Sequence, residues 1–138
     1  MIGYVTVGVD DLAKAEAFYS AVLLRLGYGL EVSDEGLSYS LSGPSTEQNA
    51  PPDFYVKPPF DGQPASAGNG TMVAFQVATQ TLLRDLHAAA VAAGGRDEGA
   101  PGFRASYGAG FYVGYLRDPQ GNKIALYCNN PAEPRRPD

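Results

Sequence analysis

Tryptophan is absent from this 138-residue chain, and histidine and cysteine occur once each. No apolar run approaches the ~20 residues that a membrane span requires; the alanine-rich stretch at 88–93 falls well short of it. A lone Cys128 excludes an intramolecular disulfide, and with His87 as the one histidine a Cys/His zinc site cannot be assembled. The residues after Met1 lack the basic start and apolar segment of a signal peptide, so a cytoplasmic location is expected. Positive charge is sparse: ten Lys and Arg against fifteen Asp and Glu leave a net charge of −5. The basic residues stand singly apart from Arg135-Arg136, which argues against a phosphate-binding face and against a nucleic-acid partner. What is present is a 44% hydrophobic content, enough for one soluble domain with a core.

The pattern predicts a strand over 3–9, then a helix over 12–26 capped by Asp11 and stopped by Gly27. Its apolar positions, from Leu12 and Ala15 through Phe18, Tyr19 and Val22 to Leu26, recur at three- and four-residue spacing. Short strands are expected at 29–32, 37–41 and 54–57, separated by Asp34-Glu35-Gly36 and by the polar, proline-bearing segment 43–53. Residues 58–70 hold too much Pro and Gly for a regular element and read as a linker. A second strand at 72–77 and a helix at 81–93, stopped by Gly94-Gly95, repeat the opening order. A shift of 68 aligns Val5 with Val73, Val9 with Val77, Phe18 with Leu86 and Gly27 with Gly95. Strands at 110–117 and 123–128 follow, joined by Asp118-Pro119-Gln120-Gly121, whose Pro presets a turn. The strand that should follow the second helix is hidden in the glycine-rich 99–110 stretch. Asp97 and Glu98 read as solvated loop charges, and 131–138 as a frayed tail.

Two βαβββ modules, 1–57 and 71–128, therefore make one domain. Their motifs DLAKAEAFYSAVLLRLGY, GNGTMVAF, AAAVAAGG, APGFRASYG and FYVGYLRDPQGNKIALYC resemble the vicinal oxygen chelate superfamily, that is, the glyoxalase/bleomycin resistance protein/extradiol dioxygenase family. The resemblance runs from Ile2 to Cys128. It implies an α+β fold, a curled mixed sheet around a cleft with helices outside, and frequent homodimers whose modules pair within or between chains. It also implies metal ligands on the first strand of each module and on the last strand. Carried over by position, these fall at Tyr4, Met72 and Ala125, where a phenol, a thioether and a methyl replace the usual histidine, histidine or glutamine, and glutamate. No metal and no cofactor are expected.

Without a metal these three positions either line an apolar pocket or fill it as core. Arg104 and Tyr107, in the loop expected beside the cleft, are candidates for contact with a small-molecule ligand, Arg104 for a carboxylate or phosphate; both also suit a surface loop. Period-two alternation places Tyr127 on the face of Ala125, whereas Tyr112 and Tyr115 read as strand packing. His87 on the second helix and Cys128 at a strand end read as structural. The functional expectation is a metal-free protein binding a small aromatic or amphipathic molecule, as the bleomycin-binding branch does. The alternatives are a lyase or dioxygenase-like enzyme working without metal or with atypical ligands, and a module whose cleft has collapsed.

Overall fold

The computed structural model describes residues 1–41 and 50–138, so most of the expected connection at 43–53 lies outside the described residues. The first module comprises β1 (Tyr4–Gly8), α1 (Leu12–Leu23), a single 3₁₀ turn (Leu24–Leu26), β2 (Gly29–Ser33), β3 (Gly36–Ser40) and β4 (Asp53–Lys57). The second comprises β5 (Val73–Gln76), α2 (Gln80–Ala92), β6 (Arg96–Phe103), β7 (Tyr112–Arg117) and β8 (Lys123–Cys128). Each forms a four-stranded sheet, ordered β1-β4-β3-β2 and β5-β8-β7-β6, with its first and last strands parallel and the others antiparallel. The two sheets curl but do not close. No helix of the described residues is long and apolar enough to cross a membrane.

Equivalent residues do equivalent work at the shift of 68. Asp11 caps α1 by accepting from the Lys14 amide, and Thr79 caps α2 by accepting from the Leu82 amide. Phe18 and Leu86 are both fully buried, as are Ala15 and Leu83. The correspondence slips by one at the helix ends. Gly27 and Gly94, at φ 96° and 101°, take the left-handed conformation that ends a helix, so the partner of Gly27 is Gly94 rather than Gly95. Gly95 is glycine for another reason: a Cβ there would lie 2.4 Å from Phe18 Cε2 and 2.8 Å from the Ala90 carbonyl oxygen.

That approach is one of several that join the modules. Phe54 of β4 meets Phe75 of β5 edge-on at 5.2 Å, and Tyr28 meets Phe75 at 6.1 Å. The Tyr19 hydroxyl donates to Asp118 at 2.6 Å, and Asn122 Nδ2 donates to the Gly8 carbonyl at 2.9 Å. The linker is fixed as well, since Asp10 accepts from the Ala65 amide and Gln120 donates to the Ala65 carbonyl. Each sheet thus turns one face to the helices and the shared core and leaves the other open.

Three expectations need correction. The hidden strand is β6, which starts at Arg96, ahead of the stretch expected to hold it, and breaks register between Asp97 and Gly99 and again before Gly102. As the outermost strand of its sheet it tolerates Pro101, and the bulges absorb its glycines. Asp97 and Glu98 accordingly lie in this strand, and Glu98 pairs with Arg117 at 2.8 Å. The tail at 131–138 is not frayed: the Arg136 amide donates to the Ala109 carbonyl at 2.7 Å, and buried Gln80 donates to the Pro134 carbonyl at 2.7 Å.

Candidate functional site

In the second sheet, cross-strand partners share a face. Tyr115 pairs with Ala125 and Ala125 with Ala74; Val113 pairs with Tyr127. These residues form the floor of a concavity of ≈ 590 Å³ on the open face, away from α2. Met72 stands at one margin, and the 106–111 loop raises Ser106, Tyr107 and Phe111 at another. Phe111 stacks on Tyr127 with centroids 5.5 Å apart and planes 21° from parallel, while Tyr107 meets Phe111 edge-on at 5.6 Å. The result is an aromatic wall beside a small-residue floor, which suits a flat apolar body.

Met72, Tyr107, Ala125 and Tyr127 therefore come together as lining residues. Tyr115, expected to pack in the sheet, lines the same concavity, whereas Tyr112 is buried against Phe103 and Arg84. Burial, and after it the neighbouring Tyr107 hydroxyl, push the Tyr115 phenol above its ordinary pKa, with Arg104 opposing. It stays a neutral donor at pH 7.

Arg104 does not line the concavity. Its guanidinium donates to the carbonyls of Ala100 at 2.8 Å and Phe103 at 3.2 Å, and sits 5.6 Å from the Tyr115 ring centroid. Gly99 makes room for this, since a Cβ there would stand 2.8 Å from the Tyr115 ring. Tyr4 is also elsewhere. It lies 66% exposed on the open face of the first sheet, edge-on to Tyr55, in a separate ≈ 320 Å³ depression shared with Thr6, Glu35 and Lys57. Within one chain Tyr4 does not meet Met72 and Ala125.

The fold is that of solved proteins. A glyoxalase/bleomycin resistance protein from Albidiferax ferrireducens is 36% identical over 93% of this chain and 98% of its own, with a TM-score of 0.77. The chain belongs to the glyoxalase/bleomycin resistance protein family. That family lies in the vicinal oxygen chelate superfamily. Fold alone links it to a glyoxalase-related enzyme from Fulvimarina pelagi, at 21% identity, 94% and 88% coverage and TM-score 0.69. The same holds for an antibiotic binding protein from Streptomyces, at 19% identity, 93% and 94% coverage and TM-score 0.58. No protein-family model and no curated protein matches the chain.

For this family member the metal positions supply a phenol in one depression and a thioether and a methyl in the other, a set that does not fit a divalent ion. No group of three His, Cys, Asp or Glu side chains converges among the described residues. His87 is buried on α2, with Nε2 3.2 Å from the Tyr115 carbonyl and 3.3 Å from Asp97. Cys128 is buried with Sγ 3.6 Å from the Ala78 carbonyl. Neither lines the concavity.

The wall of the concavity is held from outside. Arg136 Nη1 donates to the carbonyl of Tyr107 at 3.2 Å and more closely to that of Arg104, at 2.6 Å. The side chain bridges the two ends of the turn that presents Ser106 and Tyr107. Replacing Arg136 by alanine is expected to raise amide hydrogen exchange about tenfold at Tyr107, with β7 and β8 unchanged. Mass-spectrometric exchange on the two proteins checks this; equal rates would show that the tail does not restrain the loop.

Proposed function

We propose that this protein binds a small aromatic or amphipathic molecule, without a metal, in the second-module concavity. The observation that carries the reading is the ≈ 590 Å³ hollow floored by Ala74 and Ala125 and walled by Phe111, Tyr115 and Tyr127. Small side chains at the floor leave volume, the aromatic rings supply flat surface, and the phenols of Tyr107, Tyr115 and Tyr127 supply orienting donors. The Streptomyces antibiotic binding protein, similar in fold, lends the idea of sequestration.

We further propose a homodimer in which the first-module open face of one copy covers the second-module concavity of the other. Both open faces carry exposed large side chains, Tyr4 on one and Met72 and Tyr107 on the other, and Phe60 in the linker is fully exposed. Covering the hollow would bury the ligand on both sides.

The test combines native mass spectrometry, metal analysis and thermal-shift screening against aromatic metabolites and antibiotics. The expected outcome is a metal-free dimer whose melting temperature rises with a bound aromatic compound, by about 2.7 kcal/mol of stabilisation at a hundredfold excess over Kd. Phe60→Ser is expected to shift the protein toward monomer in light scattering. Stoichiometric zinc, iron, nickel or manganese in the native protein would overturn the metal-free reading. Chemical turnover of a bound compound would favour the enzymatic alternative, with Tyr107 or Tyr115 polarising the substrate.

A further inference from the structure

We infer that the molecule held in the second-module concavity carries an acidic group, a carboxylate, sulfonate or phosphate, seated on a basic row formed by Arg96, Arg117 and Lys123. This rests on the reading of the concavity as a binding site and adds the chemistry of its ligand. The row follows from strand register. Arg96 of β6 is the cross-strand partner of Arg117 of β7, and Arg117 is the partner of Lys123 of β8. All three side chains therefore project from the same open face as Tyr115 and Ala125, two residues further along their strands.

Three adjacent like charges are unfavourable unless something compensates them. The structure provides one carboxylate, Glu98, which accepts from Arg117 Nε at 2.8 Å. Arg117 holds the Glu98 carboxyl below its ordinary pKa, and Arg96 and Lys123 add to the effect. One carboxylate for three cations leaves the row positive on a chain whose net charge is −5. Neither Arg96 nor Lys123 forms an ion pair among the described residues.

The row is continuous with the aromatic hollow. Arg117 and Lys123 line a ≈ 290 Å³ depression with residues 69–72, and Met72 lines both this depression and the concavity. Lys123 Nζ lies 5.1 Å from the centroid of Tyr115, whose ring borders the hollow. A ring resting on Ala125 beside Tyr115 thus has an ammonium group within about one ring's width of its edge. Arg104 is poorly placed for the same task, because it lines neither the concavity nor the depression beside it. An aromatic anion satisfies the apolar floor and the uncompensated charge together.

The matched probes 2-naphthoate and 2-naphthamide test this on the intact protein, and the absence of tryptophan leaves naphthyl fluorescence free of indole emission. Naphthoate is expected to bind at least about tenfold more tightly than the amide, a difference of about 1.4 kcal/mol, and to weaken with added salt. Lys123→Met is expected to bring the naphthoate-to-amide affinity ratio close to one, and Lys123→Arg to retain the preference. Equal affinity for both probes, or equal losses of both in Lys123→Met, would overturn the acidic subsite and leave the concavity reading standing. Failure of both probes to bind the folded protein would overturn both readings.

Discussion

Replacing Asp118 by alanine is expected to cost about 3–4 kcal/mol of folding stability, which lowers the melting temperature of a chain this size by roughly 10–15 °C. Asp118 is 3% exposed, yet its two oxygens are fully engaged. Oδ1 accepts from the amides of Gln120, Gly121 and Asn122 at 2.8–2.9 Å; Oδ2 accepts from Asn122 Nδ2 at 2.9 Å and from the Tyr19 hydroxyl at 2.6 Å. Alanine strands those donors in a buried site, where an unmade hydrogen bond costs more than a made one contributes. Urea denaturation of the two proteins measures the difference; a loss below about 1 kcal/mol would show that water replaces the carboxylate. Tyr19→Phe removes one donor and is expected to cost about 1–2 kcal/mol.

The same pair gives an alkaline signature. Burial first, and then the Asp118 charge and hydrogen bond, push the Tyr19 phenol far above its ordinary pKa. The unfolded chain releases this proton near pH ~10 while the folded chain keeps it, so the native state binds more protons and stability falls as pH rises past that point. Tyr19→Phe is expected to show a shallower alkaline decline in the urea midpoint; parallel curves would contradict the assignment.

The second large effect is a gain. The triple variant Tyr4→His, Met72→His, Ala125→Glu is expected to take up cobalt stoichiometrically, and the double variant Met72→His, Ala125→Glu to take up little. Positions 72 and 125 border one hollow, whereas position 4 lies in the other depression of the same chain. The third donor therefore reaches the first two only across a pair of chains assembled face to face. Cobalt absorption and elemental analysis separate the outcomes. A folded, dimeric triple variant that binds no metal would overturn that assembly.

Much of the fold was legible because its signals are local. Asp11, Gly27 and the Phe18-Tyr19-Val22 spacing delimit α1, and the DPQG turn delimits β7 and β8. β6 was not legible because RDEGAPGF has neither alternation nor β-branched residues; it is a strand by virtue of pairing with β7. In the site, Tyr127 was placed by counting from Ala125, and the same count from Val113 reaches Tyr115 and Arg117. Strand composition hid that step, because aromatic residues in strands usually pack. Arg104 attracted attention as a loop arginine, while the basic row depends on a cross-strand register that no single segment encodes. Tyr4 groups with Met72 and Ala125 only through the ligand positions that the family resemblance implies, which leave open whether the modules sharing a site belong to one chain or to two.

The contacts that join the halves also bear on how the chain unfolds. Phe18 lies against Gly95, Phe54 against Phe75, and the β7–β8 turn is anchored to α1 through Tyr19 and to β1 through Gly8. Each half therefore lacks part of its interior when alone. The internally repeated chain is expected to unfold in one cooperative transition, with calorimetric and van't Hoff enthalpies equal, and a break in the 58–70 linker is expected to leave two fragments that fold only on associating.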